Sequence, residues 1–198
     1  PEMKVIVFIN CCLSVDFHFA FFSFFQFMTP MQRKALRART KGSIRDPHPT
    51  DDHDEVGYSP YLGCQVFKIH GNVDQIERAK TMAMFTQAQS AVLFCTDVAA
   101  RGLDISGVTT IIQYDPPIDT EDYVHRVGRT ARIGKEGISF LFLQEFEMEF
   151  VTLLRNRGIT INDFEMKWIV HDAVAQMQGD DDKLCMAALR KETIDTVH

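Results

Sequence analysis

The 198-residue sequence lacks the G-x-x-x-x-G-K-[ST] loop with which many nucleotide-hydrolysing folds cradle phosphate. Its Gly134-Lys135 pair is followed by Glu136, and the position five residues before Gly134 is Arg129. Basic charge is also in deficit. Lys+Arg number 21 against 27 Asp+Glu, a net charge of −6. That balance argues against general attraction to nucleic acid and confines any such contact to a local patch. Residues 64–158 carry 10 basic and 12 acidic side chains, and residues 159–198 carry 4 and 8, so the excess acid lies mostly in the tail.

Cysteine is sparse. Cys11, Cys12, Cys64, Cys95 and Cys185 give an odd count with no metal-ligand spacing, which points to a reducing compartment, nucleus or cytosol. Long apolar runs are missing too. The stretch from Lys4 to Met28 is interrupted by Asn10, Asp16 and His18, short of the ~20 residues a membrane span needs. No signal peptide is apparent, so a soluble protein without a membrane partner is expected. The acidic runs "DDHDE" (51–55) and "DDD" (180–182) follow no apolar strand and read as solvated loops; no metal site is expected.

What is present alternates. "KVIVFI" (4–9), "CQVFKIHG" (64–71), "AVLFC" (91–95), "VTTIIQY" (108–114) and "GISFLFL" (137–143) read as strands. Between them lie helix patterns. The first contains seven phenylalanines from Phe17 to Phe27, of which Phe17, Phe21, Phe24 and Phe25 fit one inward face. Phe19, Phe22 and Phe27 point elsewhere. The helix at 74–85 has Asp74 as its cap, and the one opening at "TEDYVHRVG" has Thr120. The helix "EFEMEFVTLLRNRG" is closed by Gly158, with Phe146, Phe150, Leu153 and Leu154 as its inward stripe.

Apolar strands alternating with amphipathic helices predict an α/β fold, a parallel sheet sandwiched between helices. Ligands in such sheets sit beyond the carboxyl ends of strands. Asn10, His70–Gly71, Thr96–Asp97 and Asp115 all fall there. Residues 29–63 break the pattern with six basic residues, then five acids, and read as a flexible insertion. Its basic half suits an RNA-touching arm, a nuclear-import patch, or a solvated loop neutralised by the acidic half.

The stretch "YVHRVGRTARIGKEG" (123–137) spaces Arg126, Arg129 and Arg132 three apart, which on a helix aligns them along one face. Two answers to that charge are open. The arginines pair with local carboxylates such as Asp97, Asp104 or Glu121, or they face a phosphate held outside the chain, as arginine fingers do.

"CTDVAARGLDI" (95–105) followed by that stretch resembles motifs V and VI of the DEAD-box RNA helicases, the second being HRxGRxxR. "HGNVDQIERAKTMAMF" (70–85) is similar to the family's segment with Q-x-x-R, here Gln75 and Arg78, and "VIVF" (5–8) looks like the start of motif IV. The resemblance covers residues 4–158 apart from the insertion. It implies a RecA-like second motor domain, 1–158, followed by a C-terminal extension at 159–198 that contains Trp168. The ATP-binding loop and the Mg2+ site would belong to an absent N-terminal RecA-like domain, so this segment alone would be inactive as an ATP hydrolase.

By motif position the resemblance implies that Arg129 and Arg132 approach the β- and γ-phosphates of ATP and that Asp104 bonds the ribose. His125 and Arg126 would couple the two domains. Thr96, Arg78 and Gly71 would touch the RNA backbone without reading sequence, although Arg78 has Asp74 and Glu77 as alternative partners on its own helix. Arg101 and Asp97 would hold the motif loops in salt bridges. Where motif IV usually continues Asn-Thr, this chain has "FINCC". The "NCC..VDFHF" wording and the insertion resemble nucleolar members that act in large ribosomal subunit assembly, which implies a pre-ribosomal particle as partner. Two other readings stand beside the helicase: a degenerate RecA-like module that binds RNA or protein without an ATP cycle, and an assembly protein docking through its phenylalanine-rich helix.

Overall fold

A computed structural model describes residues 3–24, 55–59, 62–97, 105, 107–130 and 137–164. Six strands form one sheet: β1 (Lys4–Phe8), β2 (Val56–Ser59), β3 (Cys64–Ile69), β4 (Ala91–Cys95), β5 (Thr110–Gln113) and β6 (Ile138–Leu141). Their spatial order is β2-β3-β4-β1-β5-β6. All neighbours pair in parallel except β2 with β3. Helices α1 (Cys12–Phe24), α2 (Gln75–Gln87), α3 (Thr120–Val127) and α4 (Glu149–Asn156) lie between or after the strands, with a 3-10 turn at Glu145–Glu147 before α4.

Side chains alternate across a strand, so each central strand feeds two cores. Ile6, Phe8, Phe67, Ile69, Leu93 and Ile111 meet Met82 and Phe85 of α2 on one face. Val5, Val7, Ile9, Val66, Val92 and Phe94 meet Val15 and Phe19 of α1 on the other. Strands buried on both faces explain the continuous apolar runs. The doubly covered α/β sheet expected from the sequence is the one observed.

Five local expectations are corrected. On α1 the inward residues are Val15, Phe19 and Ser23, whereas Phe17 is 63% exposed and Phe21 half-buried. Phenylalanine on nearly every side of this helix leaves its phase to tertiary packing. Phe22 stacks on Phe94, and Ser23 lies against Gly57 of β2, where a Cβ would come within 2.4 Å of the Ser23 hydroxyl. The side chains of Phe24, Phe25 and Phe27 lie outside the described residues.

The segment 29–63, read as an insertion without packed elements, contains β2, which covers the sheet edge. Within the run read as a solvated acidic loop, Glu55 is 8% exposed. The rest of the insertion up to residue 54 lies outside the described residues. The cap of α3 is Asp119 rather than Thr120: its carboxylate accepts from the amides of Glu121 and Asp122. Thr120 is buried instead. In α4 the buried residues are Val151 and Leu154; Phe146, before the helix, is 78% exposed and Leu153 is 49% exposed. Phe150 is half-buried against Tyr123. The Asp74 cap of α2 and the left-handed Gly158 after α4 match the sequence reading. Among the described residues no helix is long and apolar enough to cross a membrane.

Candidate functional site

At the carboxyl edge of the sheet, Asn10, His70, Thr96 and Asp115 follow β1, β3, β4 and β5 respectively. Parallel pairing brings these ends together. The amide of Thr96 donates to Ile69 O at 3.2 Å, and that of Ile9 to Cys95 O at 2.9 Å. Helix α3 then returns Arg126 to the same edge.

Arg126 is 2% exposed, and its donors are distributed over three loops. Its Nε donates to Asp97 Oδ1 at 2.7 Å, and Nη2 to Asp97 Oδ2 and, at 2.9 Å, to Asn10 Oδ1. Nη1 donates to Asp115 O at 2.7 Å. The guanidinium also lies 5.1 Å from the centre of the Phe8 ring. Such a planar fork satisfies a carboxylate and two neutral acceptors at once, which an ammonium could not. Asn10 completes the junction: its amide donates to Asp115 Oδ2 at 2.8 Å and its side-chain Nδ2 to Pro116 O at 3.0 Å.

Arg126 and Arg129 therefore do not share a helical face. Helix α3 ends at Val127, Gly128 caps it, and Arg129 lies in the following turn, half-buried, its amide donating to Arg126 O at 3.1 Å. Of the open pairings, Arg126 with Asp97 is observed. Asp97 also fits the expectation of a salt bridge that holds the motif loops; Arg101 lies outside the described residues, as do Asp104 and Arg132. His125 is exposed, with Nδ1 3.9 Å from Asp122 Oδ1. Burial pushes the Cys95 thiol well above its ordinary range; the Asp97 charge adds to this, and Arg126 and Arg129 oppose it.

On the neighbouring loops, Thr96 is buried and its Oγ1 has no hydrogen-bond partner among the described residues. Arg78, half-buried on α2, likewise has a buried Nε without a hydrogen-bond partner among them. Neither suggested helix partner is shown engaging it: Asp74 accepts from the Ile76 amide, and Glu77 lies 3.5 Å from Lys80. Gly71 is exposed, and a Cβ built there meets nothing within 4 Å among the described residues. Two members of this edge escaped the sequence reading, the Asn10 junction and a His70–Asp16 contact. Their partners stand far away along the chain, where spacing carries no signal. Among the described residues no cluster could hold a metal ion.

Residues 50–134 match the model of the helicase conserved C-terminal domain. Over 167 residues, 84% of this chain, the sequence is 38% identical to a rice protein (Oryza sativa subsp. japonica) named DEAD-box ATP-dependent RNA helicase 17. It is 38% identical over 160 residues, 77% of the chain, to the ATP-dependent RNA helicase dbp7 of Schizosaccharomyces pombe. The second domain of the DEAD-box helicase Mss116p, solved bound to an RNA duplex, matches 83% of this chain and 52% of its own at TM-score 0.59 and 27% identity.

The chain carries a DEAD-box helicase C-terminal domain. Its sheet is the RecA-like one of that domain. A further structure of Mss116p, bound to single-stranded RNA and AMP-PNP, matches 83% of the chain and 26% of its own at TM-score 0.58 and 27% identity. The chain spans about a quarter of the rice relative and a fifth of the fission-yeast one. The DEAD-box domain thus corresponds to one portion of much longer relatives.

Proposed function

We propose that this chain is the second motor domain of an ATP-dependent RNA helicase, acting on ATP held by an N-terminal RecA-like domain. The observation that carries the reading is the Arg126 junction. It ties the ends of β1, β4 and β5 to the end of α3, so that Arg129 and Thr96 occupy one edge. In this reading Arg129 and Arg132 stabilise charge developing on the transferred phosphoryl group, and Asp104 accepts from the ribose hydroxyls. The residues present suit that division of labour, because the edge has arginine but the chain has no phosphate-cradling loop of its own. Mg2+ would belong to the partner domain.

Arg126 acts here through position, since its donors are spent inside the domain, while exposed His125 reaches toward the partner domain. Thr96, Arg78 and Gly71 contact the RNA sugar–phosphate backbone, consistent with local duplex opening or ribonucleoprotein remodelling without sequence choice. Residues 1–158 form the motor domain and 159–198 an extension. The "NCC..VDFHF" wording and the insertion, which resemble nucleolar members, extend the reading to a pre-ribosomal particle as partner and a nuclear, nucleolar location.

Fusing the chain behind the first domain of a related DEAD-box helicase tests the reading. RNA-stimulated ATP hydrolysis by the fusion, absent from the chain alone, is the expected result. A folded fusion that binds ATP and RNA yet hydrolyses nothing contradicts it and favours a binding module without an ATP cycle.

A further inference from the structure

We propose that Asp16 and His70 form a positioning pair that fixes the 70–73 turn so that Gly71 presents bare backbone to RNA. The inference rests on the RNA-contacting role given to Gly71 above and adds the device that holds it. His70 has a side chain only 6% exposed, with both ring nitrogens engaged. Its Nδ1 lies 3.3 Å from the Asn72 amide, which can only donate, so Nδ1 is the acceptor. The ring proton therefore sits on Nε2, 3.1 Å from Asp16 Oδ1, and is donated to that carboxylate.

Asp16 is itself held. Lys68 Nζ donates to the same Oδ1 at 2.8 Å, lies 3.9 Å from Glu55 Oε2 and sits 5.4 Å from the centre of the Phe19 ring. The main chain closes the turn from the other side, with the Val73 amide donating to His70 O at 3.1 Å. Asp74 then caps α2, the helix carrying Gln75 and Arg78. One aspartate on α1 thus fixes the loop that joins β3 to α2, across 54 positions of sequence.

Gly71 shows what the turn is shaped for. Its φ is outside the left-handed region, and a Cβ would meet nothing within 4 Å among the described residues. Neither the backbone conformation nor packing among the described residues requires glycine. A rigid turn with an exposed, side-chain-free residue suits close approach by something outside the chain.

The test is anisotropy of a fluorescein-labelled RNA duplex titrated with the full chain across a salt series, with thermal melting of each variant alongside. Gly71→Ala is expected to leave melting unchanged and weaken binding about 10-fold. His70→Ala and Asp16→Ala are each expected to weaken it about 3- to 10-fold, the range of a lost hydrogen bond. The double variant should do no more than either alone, because the two residues act as a unit. Their salt slope should match that of the unaltered chain, since no phosphate-neutralising cation is removed, whereas Arg78→Ala should lower the slope by about one. Asp16 is 38% exposed on α1, so Asp16→Ala serves if His70→Ala does not fold.

Unchanged affinity in Asp16→Ala, with Gly71→Ala weakened, overturns the positioning pair while leaving the RNA contact. A reduced slope in His70→Ala also overturns it, making His70 a phosphate contact. Unchanged affinity in Gly71→Ala as well overturns the RNA-contacting role on which the inference rests.

Discussion

Arg126 and Asp97 are joined by two hydrogen bonds, the Nε one 2.7 Å long, with the arginine side chain 1% exposed and the carboxylate 23%. This pair binds the loop after β4 to the helix after β5. It converts two sequence motifs 29 residues apart into one rigid edge.

Breaking that pair should be costly, because a buried charge left without its partner is destabilising by about 3–5 kcal/mol. Arg126→Ala should lower unfolding stability by about that amount. Arg126→Lys should recover little, since an ammonium cannot reach Asp97, Asn10 and Asp115 together. Urea unfolding of the full chain measures both. A loss below about 1 kcal/mol in Arg126→Ala would show that the junction contributes little to the fold.

Gly57 should resist substitution for a different reason. Any Cβ there runs into Ser23 Oγ at 2.4 Å and Phe19 at 3.3 Å, so β2 and α1 must separate or the serine must turn. Gly57→Ala should destabilise by about 1–3 kcal/mol, as overpacking does. Combining it with Ser23→Gly should restore most of the loss, and a double variant no better than Gly57→Ala would exclude that clash as the cause.

Stability should fall at alkaline pH. Burial raises the Cys95 thiol above its ordinary 9.0, and burial raises Cys64 and the Tyr123 hydroxyl in the same direction. Above pH 9 the unfolded chain loses protons that the folded chain keeps, so the unfolded state binds fewer and stability declines as pH rises. Each such thiol contributes a slope of at most about 1.4 kcal/mol per pH unit. Urea midpoints between pH 7 and pH 10 should drop, and Cys95→Ala should flatten the drop; parallel profiles for the two proteins would contradict it.

The parts of the fold legible in the sequence were those with a local cause. Continuous apolar strands, the Asp74 cap and the glycine after α4 depend on neighbours a few residues away. The phase of α1 did not, because seven phenylalanines supply an apolar residue on nearly every side and Gly57, inside the segment read as an insertion, packs against Phe19 and Ser23. Strand β2 is four residues with one glycine and no clear alternation, so only its partner β3 defines it. The site divided in the same way. The ends of the apolar strands located its edge, yet spacing alone put Arg126 on a surface shared with Arg129, because the groups that turn it inward lie on other loops.

In the proposed function Arg129 acts on a phosphate held by another domain. In the fusion described above, Arg129→Ala should reduce RNA-stimulated ATP hydrolysis by about 10³-fold or more while ATP binding and folding are retained. Turnover close to that of the unaltered fusion would contradict the claim.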